Sequence, residues 1–228
     1  MLKLIMIKNS IVRKSNWLIT GSYKLTLNEQ RLILVAIAKI PFDEKEVNRR
    51  VVITAKEMLL CFPDMGENHV YEEMEKASEN LFNRWIKIED PNQIEKFRWI
   101  SAKLIYKKGE GRVGFSFSPE ILPYLQQLKE QFTKYRLGDI SDLKSIYSIR
   151  LFEMLMQFQN TGIAIINLKI FKERLGISEK YSVFKDLRRW VIEPAVNELN
   201  QKSHFNITFK SVREGRAIQT LEFFFSEK

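Results

Sequence analysis

Apolar positions recur at helical spacing in some segments of the chain and give way to aromatic and β-branched runs in others. In residues 26–41, TLNEQRLILVAIAKIP, Thr26 stands three residues before Glu29. At that spacing each side chain can satisfy the other's free backbone N–H, so a helix starts there, and Pro41 ends it. RVVIT (50–54) reads as a short strand, and Thr54 with Glu57 repeats the capping spacing ahead of a short helix, AKEMLLCF. A third helix is predicted at about 69–83. Three strand-like runs follow, WIKIE, FRWISAKLIY and RVGFSF, separated by turn residues; Ser118 and Pro119 then have the form of the cap and first position of a helix in EILPYLQQL.

From about residue 139 the same order returns. DLKSIYSIRLFEMLMQFQ places Leu143, Tyr147, Leu151, Met154, Leu155 and Phe158 on one helical side. A strand AIINL, a short helix KIFKERLG and a long helix over 180–200 come next, and the chain closes with HFNITFKSV, a basic turn REGR and AIQTLEFFF. Helix, strand, helix, helix, strand, turn, strand thus occurs twice. This predicts an α+β chain of two tandem winged helix-turn-helix domains, 1–132 and 133–228, joined near residues 130–140. A single α+β domain whose two similar orders arose by chance is the alternative.

In FKERLGISEKYSVF the first helix is expected to stop at Gly176, and Ser178 to cap the next. A short helix, a tight turn and a longer second helix make a helix-turn-helix arrangement. Phe184, Leu187, Val191 and Ala195 form the apolar side of the second helix; Ser182, Lys185, Asp186 and Arg189 lie opposite, with Arg188 on the flank. Lysine or arginine on such a helix can donate to guanine edges in a major groove. Lys185 and Arg189 are the candidates for base contact, and Lys180, Tyr181, Ser182 and Arg188 for phosphate or mixed contacts. The plain alternative is a solvated face with Arg189 paired to Glu193. A basic wing is predicted at Lys210, Arg213 and Arg216, with an analogous hairpin in the first half at Lys103, Lys107, Lys108 and Arg112. The third helix of the first half, HVYEEMEKASENLFNRW, is acidic over its first turns, so that half is expected to read fewer bases and to serve as a partner interface.

Charge supports a polyanionic partner. The 228 residues carry 37 lysines and arginines against 28 acids, a net charge of +9 and a pI near 9.5. The excess is denser after residue 130, with 16 bases against 11 acids, than before it, with 21 against 17. Cys61 stands alone, which excludes an internal disulfide, and with no recognisable leader a reducing cytoplasm is expected. The longest apolar run, LILVAIA (32–38), falls far short of the roughly 20 residues that span a bilayer. GEGRVG (109–114) matches a dinucleotide-binding pattern but lies between two strand-like runs, so it reads as a hairpin turn. His69 and His204 lack partners at metal spacing, and the acidic clusters DEKE (43–46) and YEEME (71–75) read as solvated. No catalytic residue, metal or cofactor is expected.

LTLNEQRLILVAIAKI, SIYSIRLFEMLMQF and YSVFKDLRRWVIEPAVNELNQKS followed by KSVREGRAIQTLEFFF resemble plasmid replication initiator (Rep) proteins of the iteron-binding, theta-replicating type. Residues 147–150, Tyr-Ser-Ile-Arg, and the pair Pro194 and Ala195 are the more specific marks, and the likeness runs from about residue 10 to the end. The resemblance implies two winged-helix domains. The second would dock in the major groove of repeated origin sequences; the first would supply dimerisation and auxiliary DNA contacts. It further implies a monomer that helps open the origin and recruits the host's replication initiation proteins in a bacterial cytoplasm, dimers that repress or inhibit, and no chemistry of its own. The recognition role falls on Lys180 to Arg189 and the wing role on Lys210 to Arg216. Ser148 and Arg150 are assigned to backbone phosphates, with burial of Arg150 against Glu153 or another acid as the alternative. Only three residues follow Phe225, so host contacts carried by a longer tail in other members are expected to be absent, moved or cut away. RLILVAIAK could pair as a strand if its domain loosened, although a buried helix is the plainer reading. A transcriptional repressor of the same architecture, or an interaction module that binds no DNA, would share many of these features.

Overall fold

The chain's structure, a computed structural model, describes residues 7–41, 49–89, 92–104, 111–126 and 131–228. The first half contains β1 (Ile11–Ser15), α1 (Asn16–Thr20), β2 (Ser22–Tyr23), α2 (Leu27–Ala38), β3 (Arg50–Thr54), α3 (Ala55–Cys61), α4 (Val70–Leu81), β4 (Trp85–Glu89), β5 (Ile94–Arg98), β6 (Ile100–Leu104), β7 (Arg112–Phe117) and α5 (Leu122–Leu125). After β8 (Phe132–Arg136) come α6 (Ile146–Met156), β9 (Ile163–Asn167) and α7 (Leu168–Arg174). The rest comprises α8 (Phe184–Leu187), a π-helical turn (Arg188–Ile192), α9 (Glu193–Lys202), β10 (Phe205–Glu214) and β11 (Ala217–Glu227).

Both capping boxes form. Thr26 accepts from the Glu29 N–H and Thr54 from that of Glu57, while each glutamate bonds back to the threonine N–H. α2 buries every residue from Glu29 to Ile37, as a helix with apolar residues on all sides must. The run that could pair as a strand is therefore the central helix of the first half, and its polar members have partners. Glu29 holds Arg84 at 2.8 Å, and Arg31 reaches Asp64 at 2.9 Å and the Leu143 carbonyl at 3.0 Å.

The repeated order is present in three dimensions. β3 pairs with β7 and β7 with β6; in the second half β9 pairs with β11 and β11 with β10. In each sheet the strand ahead of the second helix lies beside the last strand of the unit, and a hairpin completes the sheet. These are two winged-helix units. The first carries an added sheet, β2-β4-β5, because FRWISAKLIY divides at Trp99 into β5 and β6.

The patterning did not disclose β1, α1, β2 or β8. β1 and β8 pair antiparallel along five residues, from Ile11 opposite Arg136 to Ser15 opposite Phe132. The expected domain limit at residue 132 therefore falls at the start of a strand whose partner is at the other end of the first half. α6 is buried from Ser148 to Met156, and one apolar core runs from Val12 through α2 and α6 to Phe225.

Candidate nucleic-acid interface

α7 ends at Arg174 and the chain turns through Gly176, whose φ is +66°. A Cβ there would lie 2.7 Å from the Tyr23 carbonyl oxygen, so the turn needs glycine for its backbone and for its close approach to the first half. The next helix starts later than the sequence suggests. Val183, not Ser178, is its N-cap, and no side chain caps it. Lys180, Tyr181 and Ser182 consequently lie in the loop before the helix, with Tyr181 in the left-handed region at φ 53°. Lys172 donates to the Tyr181 carbonyl at 3.4 Å, and the Tyr147 hydroxyl is raised above its ordinary range by burial and by its Tyr181 neighbour.

The faces of the helix are as the projection requires. Leu187, Val191 and Ala195 are buried and Phe184 packs at the edge of the core, while Ser182, Lys185, Asp186, Arg188 and Arg189 are exposed. The ion pair with Glu193 is made by Arg188, at 2.7 Å, and Arg189 instead lies 4.9 Å from the centre of the Trp190 ring.

β10 and β11 close the wing through a turn at Gly215 and Arg216. Phe209, Ser211 and Arg213 alternate onto the face toward the helix, and the Arg188 guanidinium lies 5.7 Å over the Phe209 ring. Helix and wing enclose a cleft of about 580 Å³ whose walls include Tyr181, Ser182, Lys185, Arg188, Arg213 and Arg216. Lys172 of α7 also lines it and was not among the sequence candidates; its one signal was a cation in the short helix before the glycine turn. Among the described residues no acid pairs with Lys185, Arg189, Arg213 or Arg216, so the cleft and its rim carry uncompensated positive charge.

Other candidates stand elsewhere. Lys210 occupies the opposite face of β10, its ammonium 5.3 Å over the Phe224 ring and its backbone opposite Glu222, so it does not join the cleft. Lys103 is held by Glu79 of α4. Arg112 is exposed at the start of β7, and Lys107 and Lys108 lie outside the described residues.

Ser148 and Arg150 cannot touch phosphate, because both are buried, at 0% and 2% exposure. Arg150 donates to the carbonyls of Ile19 (3.0 Å), Gly21 (3.1 Å) and Arg174 (2.9 Å) and to the Tyr23 hydroxyl, and it lies 3.9 Å over the Tyr23 ring. Its acid is Glu153, at 3.3 Å, which also accepts from Lys14 at 2.5 Å and from Tyr135 at 2.6 Å. Burial alone would raise the Glu153 carboxyl; Lys14 and Arg150 hold it below its ordinary value.

The family described as Initiator Replication protein, WH1, matches residues 11–156, and Initiator Rep protein, WH2, matches 167–225. The chain belongs to this family of replication initiators. A replication initiation protein of Escherichia coli is 32% identical over 223 residues, covering 93% of this chain and 68% of the relative. An uncharacterised 27.6 kDa protein of Escherichia coli is 23% identical over 205 residues, covering 84% and 85%. The crystal structure of the Pi initiator protein in complex with iteron DNA matches with a TM-score of 0.79 at 21% identity, over 97% of this chain and 98% of that one. Domains 2 and 3 of RctB match with a TM-score of 0.51 at 9% identity, over 88% and 81%.

In this initiator the two matched regions meet between residues 156 and 167, so β8 and α6 fall with the first region. No helix among the described residues is long and apolar enough to cross a membrane, and no group of three or more histidine, cysteine or acidic residues among them could hold a metal.

Proposed function

We propose that this initiator binds duplex DNA carrying repeated origin sequences, placing α8 and the π-helical turn in a major groove and the β10–β11 wing along the adjacent backbone. The observation that carries this reading is the cleft between helix and wing, where Lys172 of α7, Lys185 of α8, Arg188 of the π-helical turn and Arg213 and Arg216 of the wing converge. Lys185 and Arg189 read base edges; Arg213, Arg216 and Lys172 contact phosphates. The first half serves for dimerisation and lesser DNA contacts, through Arg112 and its neighbours. Bound to its repeats, the initiator helps open the origin and recruits host replication proteins in the bacterial cytoplasm, in a monomer–dimer equilibrium and without enzymatic activity of its own.

Selection of duplexes from a random pool, followed by binding of the selected and a scrambled duplex across a salt series, tests the reading. A single motif is expected, bound about 10³-fold more tightly than the scrambled control and with a salt slope set by several phosphate contacts. The double variant Lys185→Ala/Arg189→Ala should lose most of that preference. No motif, or equal binding of both duplexes, overturns the proposal. Permanganate reactivity of an AT-rich region on a supercoiled origin plasmid then tests opening.

A further inference from the structure

The helix facing the wing is interrupted where its outward arginines lie. The Glu193 N–H donates to the Arg188 carbonyl five residues back, so Arg188 to Ile192 form a π-helical turn with one residue more than an α-helical turn would hold. The extra residue joins two apolar rows that do not otherwise line up. Toward the N-terminus the buried row runs through Leu187 and Val191; toward the C-terminus it runs through Leu199, Val196, Ala195 and Ile192. In an unbroken α-helix the second row would continue back to position 188 or 189 and carry an arginine into the core. The π turn keeps both arginines outside.

It also sorts them. Arg188 is paired with Glu193, five residues on, at a half-exposed position. Among the described residues Arg189 has no ion-pair partner; its guanidinium rests 4.9 Å from the centre of the Trp190 ring. Trp190 itself is 57% exposed, so the core does not account for a tryptophan at this position. On the helix surface it follows Asp186 by one turn and lies on the flank away from the wing cleft, whose walls include Arg188 but not Trp190. Arg189 thus sits on the outward face between an arginine paired with Glu193 and an indole.

We infer that Trp190 is a positioning residue for DNA reading: it holds the Arg189 guanidinium in one orientation, ready to give two parallel N–H bonds to a guanine edge. This rests on the DNA-binding reading above. An arginine on a long flexible stem loses rotamer freedom when it makes a bidentate contact, and a stacked guanidinium has lost part of it beforehand. The benefit appears only where both N–H groups find their acceptors. Trp190 therefore acts on discrimination at one base pair and leaves unspecific electrostatic binding alone.

The test uses the full chain and the duplex selected by the wild type, with each guanine pair exchanged in turn. Arg189→Lys, Trp190→Ala, Trp190→Phe and the double variant Arg189→Lys/Trp190→Ala are compared by fluorescence anisotropy, with melting curves as the control for folding. Arg189→Lys and Trp190→Ala should each lose about tenfold discrimination at the same base pair. The double variant should be no worse than either, Trp190→Phe should keep most of the preference, and the salt slope and affinity for scrambled DNA should stay at wild-type values. If the two losses multiply in the double variant, Trp190 acts independently and the inference fails. It fails equally if Trp190→Ala weakens selected and scrambled duplexes alike. Either failure leaves the DNA-binding reading standing, whereas a wild type that selects no motif removes both.

Discussion

Glu153 is fully buried where the two halves meet, and replacing it with glutamine changes its charge while keeping its shape. In the native chain its carboxylate accepts from Lys14 at 2.5 Å, Tyr135 at 2.6 Å, Gln30 at 3.3 Å and Arg150 at 3.3 Å. Glutamine leaves Lys14 and Arg150 buried beside each other with no negative charge between them, and it turns one acceptor into a donor. Removing one partner of a buried ion pair costs about 3 to 5 kcal/mol, a large part of the roughly 5 to 15 kcal/mol that stabilises a domain. With a urea m-value of about 2 to 3 kcal/mol/M, the midpoint should fall by on the order of 1 to 2 M. The pH dependence adds a second check. Burial holds the Lys14 ammonium below its ordinary range, and Glu153 works against that shift. With a folded-state value below the unfolded one, the unfolded chain binds more protons in the interval between them, so stability rises with pH there. Loss of Glu153 lowers Lys14 further and widens the interval downward from the ordinary lysine value. The defect of Glu153→Gln should therefore shrink as the pH is raised from 7 toward 10. The native carboxyl, held below its ordinary value, contributes stability above the carboxylate range that is lost on acidification, and the variant should lack that acid-side loss. A midpoint shift equivalent to less than about 1 kcal/mol, or a defect independent of pH, would refute the reasoning.

Three further substitutions follow from the geometry. Lys210→Ala should leave DNA affinity and salt slope unchanged, since Lys210 lies over Phe224 on the far face of the sheet; Arg213→Ala should lower the slope by about one phosphate contact. Equal effects of the two on the slope would show that the wing presents the other face. Gly176→Ala should destabilise by about 1 to 3 kcal/mol or more, measured by denaturant titration, because the left-handed backbone adds to a contact of 2.7 Å with the Tyr23 carbonyl. A cost within a few tenths of a kcal/mol would mean that the turn relaxes freely.

The parts of this fold that local pattern could disclose are those whose signals lie within one turn or one strand. Thr26 with Glu29 and Thr54 with Glu57 are such signals, and both boxes form. The alternation along β10 is another: Lys210 has the opposite parity to Phe209, Ser211 and Arg213, so its place away from the helix could have been taken from the sequence alone. β1 could not. IVRKS contains two cations, and its Lys14 is buried only because a carboxylate 139 positions later and a strand from residues 132–136 come to meet it. The π turn was hidden for a related reason. A regular projection satisfies Phe184, Leu187, Val191 and Ala195 without it, and the extra residue becomes necessary only when Ile192, Val196 and Leu199 must be buried too. Arg150 lay in a Tyr-Ser-Ile-Arg run whose exposure nothing local determines, and its acid, one turn away at Glu153, was the available clue.

The same buried groups fix where the helix-turn-helix and wing stand relative to the first half. Arg150 grips the carbonyls of Ile19 and Gly21 and, with the same nitrogen, that of Arg174 at the end of α7. The Ser22 hydroxyl donates to the Glu173 carbonyl at 2.7 Å, and Gly176 lies against Tyr23. Glu198 of α9 accepts from the Lys144 and Ser145 N–H groups at 2.9 and 3.2 Å, capping α6 from the far end of the helix that faces the wing. Residues 19–23 therefore hold the first helix of the helix-turn-helix directly, and α6 holds the second through Glu198. A rotation of these elements against the first half would have to part the Arg150 guanidinium either from the Arg174 carbonyl or from Ile19, Gly21 and Tyr23, and each carbonyl set free would need another donor. A small displacement relieves none of them. These bonds couple the placement of α7, and with it the helix and wing that follow, to residues 19–23 of the first half.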